Sequence, residues 1–461
     1  MKNRSKLRNK YQQKDGAWSQ PELFKKKKKE MTDAERVFSF QSKLYQKAKQ
    51  ERGYKFYVLY DKMFLGHMLR EGWEQVKANG GAPGIDGVSI ADVEHQGVES
   101  YLEELGEELR KRTYRPKAVK RVKIPKANGG ERPLGIPTVK DRIAQTVCKM
   151  ILEPIFEADF EESSYGFRPG RGSKEAMSAI KDHLREGRTE VLDADLSGYF
   201  DTIPHEKLMK ALKQRISDPR ILKLVHGWLK APVQEDDQFR GGKRNKEGTP
   251  QGGTISPLLA NIYLHLLDRI VNKAEGLFHK NGIRMVRYAD DFVLMGKQMT
   301  TEIKERLWEL IDRMGLTLNE DKTRTVEAGR TGFEFLGYTV RYDKDTKGRN
   351  KRYWNIVPSP RSQREVREKV RSYLKTHGHC PAHEVSKGLN AILRGWLNYF
   401  ENKGVSYPAM SKRKLRYYLM DRLNRYYARK SQRKCRLHGN DAFGELVQKF
   451  GLIDPTKYTL Q

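Results

Sequence analysis

Two adjacent aspartates interrupt a stretch of apolar residues, and this feature restricts the possible folds of the chain more than any other. Asp290 and Asp291 lie between the runs Arg284–Tyr288 and Phe292–Met295. Two apolar runs with a short polar break predict a β-hairpin that carries carboxylates at its turn. Adjacent carboxylates resist desolvation unless a cation compensates them, and oxygen-rich sites suit Mg²⁺. The tetrapeptide Tyr288–Asp291 taken alone is more often an ordinary turn, so other residues must decide.

A third aspartate has a similar setting. Asp195 ends the short strand predicted over Glu190–Asp195, where a solvated carboxylate has little structural purpose. Three carboxylates at the edges of apolar runs favour a common site for a divalent metal ion, because hard cations prefer oxygen ligands.

The net charge of the chain is strongly positive and is concentrated at its ends. The 90 lysines and arginines exceed the 59 aspartates and glutamates by 31. Residues 1–50 carry +10 and residues 341–461 carry +18, whereas residues 51–340 carry only +3. Basic flanks around a near-neutral body are typical of a protein that binds a nucleic acid, since each neutralised phosphate releases counterions. For residues 1–35 alone, a solvated tail is an equal alternative.

Other features exclude several classes of protein. No run of 18 uncharged apolar residues is present, so we expect neither a membrane span nor a membrane partner. The basic N-terminus has no apolar segment behind it, which argues against secretion. The three cysteines, Cys148, Cys380 and Cys435, form neither a disulfide framework nor a zinc motif. We therefore expect a cytoplasmic protein.

Periodicity predicts a chain of mixed composition in which helices predominate. The predicted helices are Phe40–Val76, Val98–Arg112, Arg142–Phe160, Pro204–Arg215 and Thr301–Met314, and the rest of the chain after residue 351 is predicted to be helical. Ser256 and Pro257 predict another helix start, with the serine as N-cap and the proline at the first helical position. The predicted strands include a basic hairpin, Lys117–Lys126 with Arg132–Ile136, and a strand over Phe333–Tyr342. The polar segment Asp343–Lys351 predicts a domain boundary.

Seven motifs follow one another along the chain. They are Ile124–Pro137, Ser164–Pro169 (SYGFRP), Asp193–Asp201 (DADLSGYFD), Gly248–Pro257 (GTPQGGTISP), Tyr288–Asp291 (YADD), Gly332–Gly337 (GFEFLG) and Gly395–Phe400 (GWLNYF). In this order they resemble the reverse transcriptases encoded by bacterial group II introns, also called intron maturases. The resemblance spans about residues 55–455.

The resemblance implies roles for particular residues. Asp195, Asp290 and Asp291 would hold two Mg²⁺ ions, and Leu196 would assist through its backbone carbonyl. Such ions activate the 3′-hydroxyl of a primer and stabilise the leaving pyrophosphate. The residues implied for the incoming nucleotide are Lys126 and Arg132 as a phosphate clamp, Gln251 along the nucleotide, Phe200 against the sugar as a filter that selects dNTPs, and Lys322 as general acid. Gly252 and Gly253 would be turn glycines or, as we favour beside Gln251, would let the template approach closely.

The fold that the resemblance implies is α+β and mostly helical. It is a right-hand polymerase, with fingers and palm around an antiparallel sheet and a helical thumb known as domain X. The implied division is a basic tail (1–50), an N-terminal extension with the start of the fingers (51–115), the fingers and palm (116–342), and the thumb with a basic C-terminal region (343–461). Tyrosine pairs in the thumb, Tyr417–Tyr418 and Tyr426–Tyr427, are expected to pack through at least one member each.

The implied function is an RNA-directed DNA polymerase that also assists splicing. Its partners would be group II intron RNA, an RNA template with a DNA primer, dNTPs and target DNA. Many members of the family end in a DNA endonuclease, for which Cys435 and His438 supply too few zinc ligands. We therefore expect no endonuclease. If the intron is mobile, either the DNA primer comes from elsewhere, such as a replication fork, or the intron RNA cuts a single DNA strand unaided. Two alternatives remain: an RNA-binding maturase whose polymerase is dispensable, and a domesticated polymerase used in repair or phage defence.

Overall fold

The structure, a computed structural model, describes residues 31–125, 130–235, 238–242, 245–249, 252–345, 351–429, 437 and 441–459. Lys126 and Gln251 lie outside these residues, as do Cys435, His438 and most of the predicted tail. Of Arg132 the structure describes the backbone alone.

Helices predominate, and the predicted α+β class is confirmed. The helices are α1 Asp33–Gln50, α2 Gly66–Asn79, α3 Ile90–Gln96, α4 Val98–Lys111, α5 Val139–Glu157, α6 Ser173–Arg185, α7 Tyr199–Thr202, α8 His205–Leu212, α9 Pro219–Leu229, α10 Ser256–Asn272, α11 Leu277–Lys280, α12 Thr301–Met314, α13 Pro360–Thr376, α14 Ala382–Phe400, α15 Ala409–Arg429 and α16 Ala442–Phe450. Within the described residues, no helix is both long enough and apolar enough to cross a membrane.

Within the described part of the chain, the strands form three sheets. They are β1 Val119–Pro125, β2 Glu131–Ile136, β3 Glu190–Ala194, β4 Pro232–Glu235, β5 Gln238–Gly241, β6 Arg284–Tyr288, β7 Asp291–Gly296, β8 Arg324–Glu327, β9 Phe333–Phe335, β10 Tyr338–Lys344 and β11 Arg352–Pro358. The strand orders are β2-β1-β4-β5, β6-β7-β3-β8 and β11-β10-β9. Both predicted hairpins, β1–β2 and β6–β7, are present.

The described chain divides into two compact units. The first comprises the residues up to Gly172, Ala194–Val293 and Thr300–Thr323; the second comprises Ser173–Asp193, Leu294–Met299 and the residues from Arg324 onward. Strands β3 and β7 contribute residues to both units.

In the first unit, the predicted helix Phe40–Val76 is in fact two helices, α1 and α2, with non-helical chain between them. The backbone N–H groups of Leu59 and Tyr60 donate to the carboxylate of Asp218, at 2.8 and 2.9 Å. Asp218 is nearly 160 residues away and also caps α9. The apolar spacing through Phe56 and Leu59 therefore reflects burial of a segment that is not helical. Its backbone N–H groups do not need helical hydrogen bonds, because the distant Asp218 carboxylate accepts from them.

The helix α10 starts one residue earlier than predicted. Ile255 occupies the N-cap position, so Ser256 is the first helical residue and Pro257 the second. The serine is buried, and its backbone N–H donates to the carbonyl of Gly253, which draws it into the preceding turn.

In the second unit, the predicted strand Phe333–Tyr342 is two antiparallel strands, β9 and β10. The chain reverses at Leu336 and Gly337, which both have positive φ angles. The prediction that the chain is helical throughout after residue 351 is wrong, because β11 pairs with β10. Apolar and polar residues do not alternate clearly in β11, so its sequence gives no distinct strand pattern before the helical periodicity that follows.

The helices α13 to α16 bury the predicted apolar stripes. The buried stripe residues are Val366, Val370, Leu374, Val385, Leu389, Leu393, Leu397, Leu415, Leu419 and Leu423. The expectation for the tyrosine pairs is confirmed: Tyr427 is buried, and the hydroxyl of Tyr418 donates to the carbonyl of Arg367. Tyr417 is 66% exposed.

Candidate active site

Asp290 lies at the tip of the β6–β7 hairpin, in a two-residue turn with Ala289. Ala289 has a φ of +59°, the left-handed conformation that tight hairpins require. A non-glycine residue reaches this conformation only when its surroundings hold it there. Asp290 is half-buried and Asp291 is exposed, so the turn presents two carboxylates at the end of an apolar hairpin.

The turn is anchored by a buried arginine. Arg287 and Asp268 are both fully buried, and two guanidinium nitrogens donate to the two carboxylate oxygens at 2.7 and 2.5 Å. The same guanidinium donates to the side-chain oxygen of Asn261 at 2.9 Å and to the backbone carbonyl of Ala289 at 2.8 Å. It also donates to the hydroxyl of Ser164 at 2.7 Å. The buried cation therefore fixes the peptide that immediately precedes Asp290.

The segment Ser164–Gly166 supports the turn from outside the hairpin. The backbone N–H of Tyr165 donates to the carbonyl of Arg287 at 2.9 Å. A Cβ atom on Gly166 would lie 2.4 Å from the backbone nitrogen of Ala289, so only glycine fits. The SYGFRP motif therefore packs against the backbone of the Asp290 turn and supports it.

Asp195 follows β3 and is held by a second segment of chain. Its carbonyl accepts from the backbone N–H of Asn319 at 2.8 Å, and Leu196 pairs with Leu318 in an antiparallel bridge. The ammonium of Lys322 donates to the Asp195 carboxylate at 2.9 Å, and their side chains are 63% and 29% exposed. The structure thus brings Asp195 and Lys322 together.

The helix after Asp195 lies within electrostatic range of Asp290. Burial raises the pKa of Tyr199 well above its ordinary value, and the negative charge of Asp290 acts in the same direction. In the sheet, β3 and β7 are neighbours. The strand that leads to Asp195 therefore lies beside the strand that begins at Asp291.

Phe200 is hydrogen-bonded through its backbone to the start of the Gly248–Pro257 motif. Its side chain is 8% exposed, and its carbonyl accepts from the backbone N–H of Thr249 at 2.6 Å. Gly248 donates to the carbonyl of Ile203 at 2.9 Å, and its own carbonyl lies 2.7 Å from a ring nitrogen of His205. The start of this loop is consequently locked to the α7–α8 segment.

Gly252 lies very close to the backbone of β2. A Cβ atom at this position would lie 2.2 Å from the carbonyl oxygen of Gly135 in β2. Its φ of +112° is also a conformation that favours glycine. Packing of the loop on the β1–β2 hairpin therefore requires a residue without a side chain at Gly252.

Comparison with known proteins agrees with these motifs. The reverse transcriptase (RNA-dependent DNA polymerase) family profile matches residues 124–340, and the group II intron, maturase-specific domain profile matches residues 363–441. Protein YkfC of Escherichia coli K12 is 38% identical over 292 residues, which are 56% of this chain and 75% of YkfC.

The chain belongs to the group II intron reverse transcriptases, or maturases.

Two other relatives extend well beyond the region that matches this chain. The group II intron-encoded protein LtrA of Lactococcus lactis is 31% identical over 304 residues, 53% of this chain and 50% of LtrA. A 91 kDa protein in the cob intron of Schizosaccharomyces pombe is 28% identical over 354 residues, 61% of this chain and 43% of that protein. The chain thus spans half or less of these two relatives. The predicted family and the enzyme class, RNA-directed DNA polymerase, are confirmed.

Polymerases of this family use divalent metal ions, and the donor chemistry fits one. Asp195, Asp290 and Asp291 offer only hard oxygen ligands, and a cation, Lys322, already neutralises Asp195. Among the described residues, no three acidic, histidine or cysteine side chains lie close enough together to hold a metal ion.

Sequence reasoning missed the anchor of this reverse transcriptase turn. Arg287, Asp268 and Asn261 come from β6 and α10, and no local pattern pairs them. One signal was available: an arginine in the apolar run that forms β6 must find a buried partner or leave the core.

Proposed function

We propose that this reverse transcriptase extends a DNA primer on group II intron RNA with dNTPs, binds that RNA, and assists its splicing. Target DNA would supply the primer in target-primed reverse transcription. The observation that supports the proposal is the Asp290 turn held by buried Arg287, beside the strand that leads to Asp195. A carboxylate pair placed rigidly at a half-exposed hairpin tip suits phosphoryl transfer, in which positioning and electrostatics supply most of the catalysis.

Asp195 and Asp290 would bind Mg²⁺ directly, Asp291 would assist on the primer side, and the Leu196 carbonyl would complete the ligands. The bound ions would activate the attacking 3′-hydroxyl and stabilise the pyrophosphate. The protein's own contribution is rigidity. Arg287 holds the carbonyl before Asp290, and the 317–319 segment holds the backbone at Asp195 and Leu196. Little reorganisation of the ligands is then needed during reaction.

On the nucleotide side, we propose that Lys126 and Arg132 clamp the triphosphate and that Gln251 lies along the nucleotide. The backbone of Arg132 pairs with Ile124 in the β1–β2 hairpin. This hairpin contacts the Gly248–Pro257 loop through Gly135 and Gly252. The contact supports a nucleotide site that both segments line.

Phe200→Ala is expected to weaken the preference for dNTPs over rNTPs by on the order of tenfold or more, because the ring would otherwise clash with a 2′-hydroxyl. Phe200 is buried, so the variant also loses stability. The measurement is therefore the ratio of kcat/KM for a dNTP to that for the matching rNTP, which does not depend on the folded fraction. An unchanged ratio would remove Phe200 from the sugar site.

Lys322→Met is expected to lower the rate of nucleotide addition at saturating Mg²⁺ by roughly 10²-fold, the contribution typical of general acid catalysis. The reason is that Lys322 would protonate the leaving pyrophosphate. The structure offers a clear competing role, since Lys322 neutralises Asp195. If it is only a counter-ion, the variant would keep its maximal rate and require less Mg²⁺. The Mg²⁺ titration of single-turnover rates separates these outcomes.

We propose that the chain divides into an N-terminal extension (51–115), the fingers and palm (116–342) and a thumb (343–461). The thumb would bind RNA. The helix α13 supports this, because it exposes several basic side chains opposite its buried stripe. They are Arg361, Arg364, Lys369, Arg371 and Lys375. Recognition of folded RNA would depend on its shape, phosphates and 2′-hydroxyls.

The deciding experiment is extension of a DNA primer on a long RNA template with dNTPs and Mg²⁺. We expect full-length cDNA from the native protein and none from the variant with Asp290→Asn and Asp291→Asn. Splicing of the intron RNA by the same variant tests the second activity, which we expect to persist because it depends on RNA binding. Absence of cDNA from the native protein, with and without intron RNA, would contradict the polymerase proposal.

A further inference from the structure

Phe167 combines two properties that are rarely found together. Its side chain is 51% exposed, and its φ is +57°. The left-handed conformation is unfavourable for a bulky residue by about 1–2 kcal/mol. A large apolar ring in strained backbone on the surface contributes little to folding. Such outliers persist where the surrounding structure holds them, and they concentrate at functional sites.

The residues on both sides hold Phe167 in place. The carbonyl of Gly166 accepts from the side-chain amide of Asn261 at 2.8 Å. On the other side, the Arg168 side chain is 2% exposed and donates to both carboxylate oxygens of Glu157, at 2.7 and 3.0 Å. It also donates to the carbonyl of Ser164 at 2.6 Å. The exposed ring therefore projects from a rigid base.

This base is also the support of the catalytic turn. Gly166 abuts the backbone nitrogen of Ala289, and Asn261 contacts both Gly166 and Arg287. Four non-glycine residues of the described chain have positive φ angles. Ala289, one of them, forms this contact, and Phe167, another, directly follows Gly166 in the chain. The ring is therefore one residue from a direct contact with the turn that carries Asp290.

We propose that the Phe167 ring packs against the minor groove of the RNA–DNA hybrid at the primer terminus and positions the primer end at Asp290. The inference rests on the proposed polymerase function, which requires the primer 3′-end at that turn. A-form-like duplexes present a wide, shallow minor groove that side chains can reach. An aromatic ring contacts sugars and base edges there without regard to sequence, which suits a polymerase. Phe167 is thus a positioning residue for the reaction.

The test uses Phe167→Gly, because glycine removes the ring and relieves the φ strain together. We expect the melting temperature of the full-length protein to stay the same or rise. The apparent Kd for a hybrid with a recessed primer, measured by fluorescence anisotropy, should increase about fivefold or more, given the usual strength of aromatic contacts with bases. Binding of single-stranded RNA should be unchanged, since it has no primer terminus. Phe167→Trp should restore hybrid binding.

Tyr57→Gly is the matched control. Tyr57 is 63% exposed in the same unit and has no assigned role, so its removal should leave the hybrid Kd unchanged. A native Kd for Phe167→Gly would overturn the inference. An equal loss for hybrid and single-stranded RNA, or a loss that accompanies a lower melting temperature, would also overturn it. Primer extension by the native protein is scored separately, so failure of the polymerase proposal is distinguishable from failure of this one.

Discussion

Asp290→Asn is expected to reduce the rate of nucleotide addition by roughly 10³-fold or more. Stabilisation of transition-state charge by carboxylate-bound metal ions contributes several kcal/mol, and each 1.36 kcal/mol is about tenfold in rate. The substitution keeps the size and the hydrogen-bonding shape of the side chain while removing its charge. Asp290 is half-buried at a turn, so the effect on folding should be small. The measurement is single-turnover addition of one dNTP to a primer on an RNA template.

Asp193→Asn is the matched control for this prediction. Asp193 lies in β3, two residues before Asp195, and forms an ion pair with Arg324, whose side chain is 3.7 Å away and 57% exposed. Exposed ion pairs contribute about 0–1 kcal/mol, so little should change. Equal activity losses in the two variants would indicate a general disturbance of the sheet. Retained activity in Asp290→Asn would remove this residue from the metal site.

Arg287→Met is expected to lower the free energy of unfolding of the first unit by about 3–5 kcal/mol. Both members of the Arg287–Asp268 pair are fully buried, and removal of one partner leaves a buried charge without compensation. Denaturant titration measures the loss. The control is Arg306→Met in α12, whose pair with Glu309 is exposed and should contribute about 0–1 kcal/mol. A similarly small loss of unfolding free energy in Arg287→Met would show that Arg287 does not anchor the turn.

A double variant separates the stability of the fold from the placement of the turn. Arg287→Met combined with Asp268→Leu removes both charges, and such apolar replacements often recover most of the lost stability. Nucleotide addition should not recover, because the hydrogen bond from Arg287 to the carbonyl of Ala289 is then lost. Recovery of activity along with stability would show that the arginine acts only on folding. The expected result would make Arg287 a positioning residue for Asp290.

The catalytic hairpin and the helical stripes could be predicted from sequence because their signals are local. Apolar runs on both sides of Asp290 and Asp291 predict a hairpin whatever the rest of the chain does. The spacing of residues such as Leu415, Leu419 and Leu423 predicts one buried face of a helix. Side-chain directions repeat about every 2 residues in strands and every 3.6 residues in helices. A short stretch of sequence therefore contains the whole pattern of buried and exposed positions.

Tertiary structure decided which polar groups satisfy one another. The break before α2 depends on Asp218, and the anchor of the catalytic turn depends on Asp268 and Asn261. Gly252 packs closely on the backbone of Gly135. These partners lie between about 20 and 160 residues apart in sequence. A buried donor requires an acceptor, but the requirement does not specify which one, so the choice emerges only when distant elements pack together.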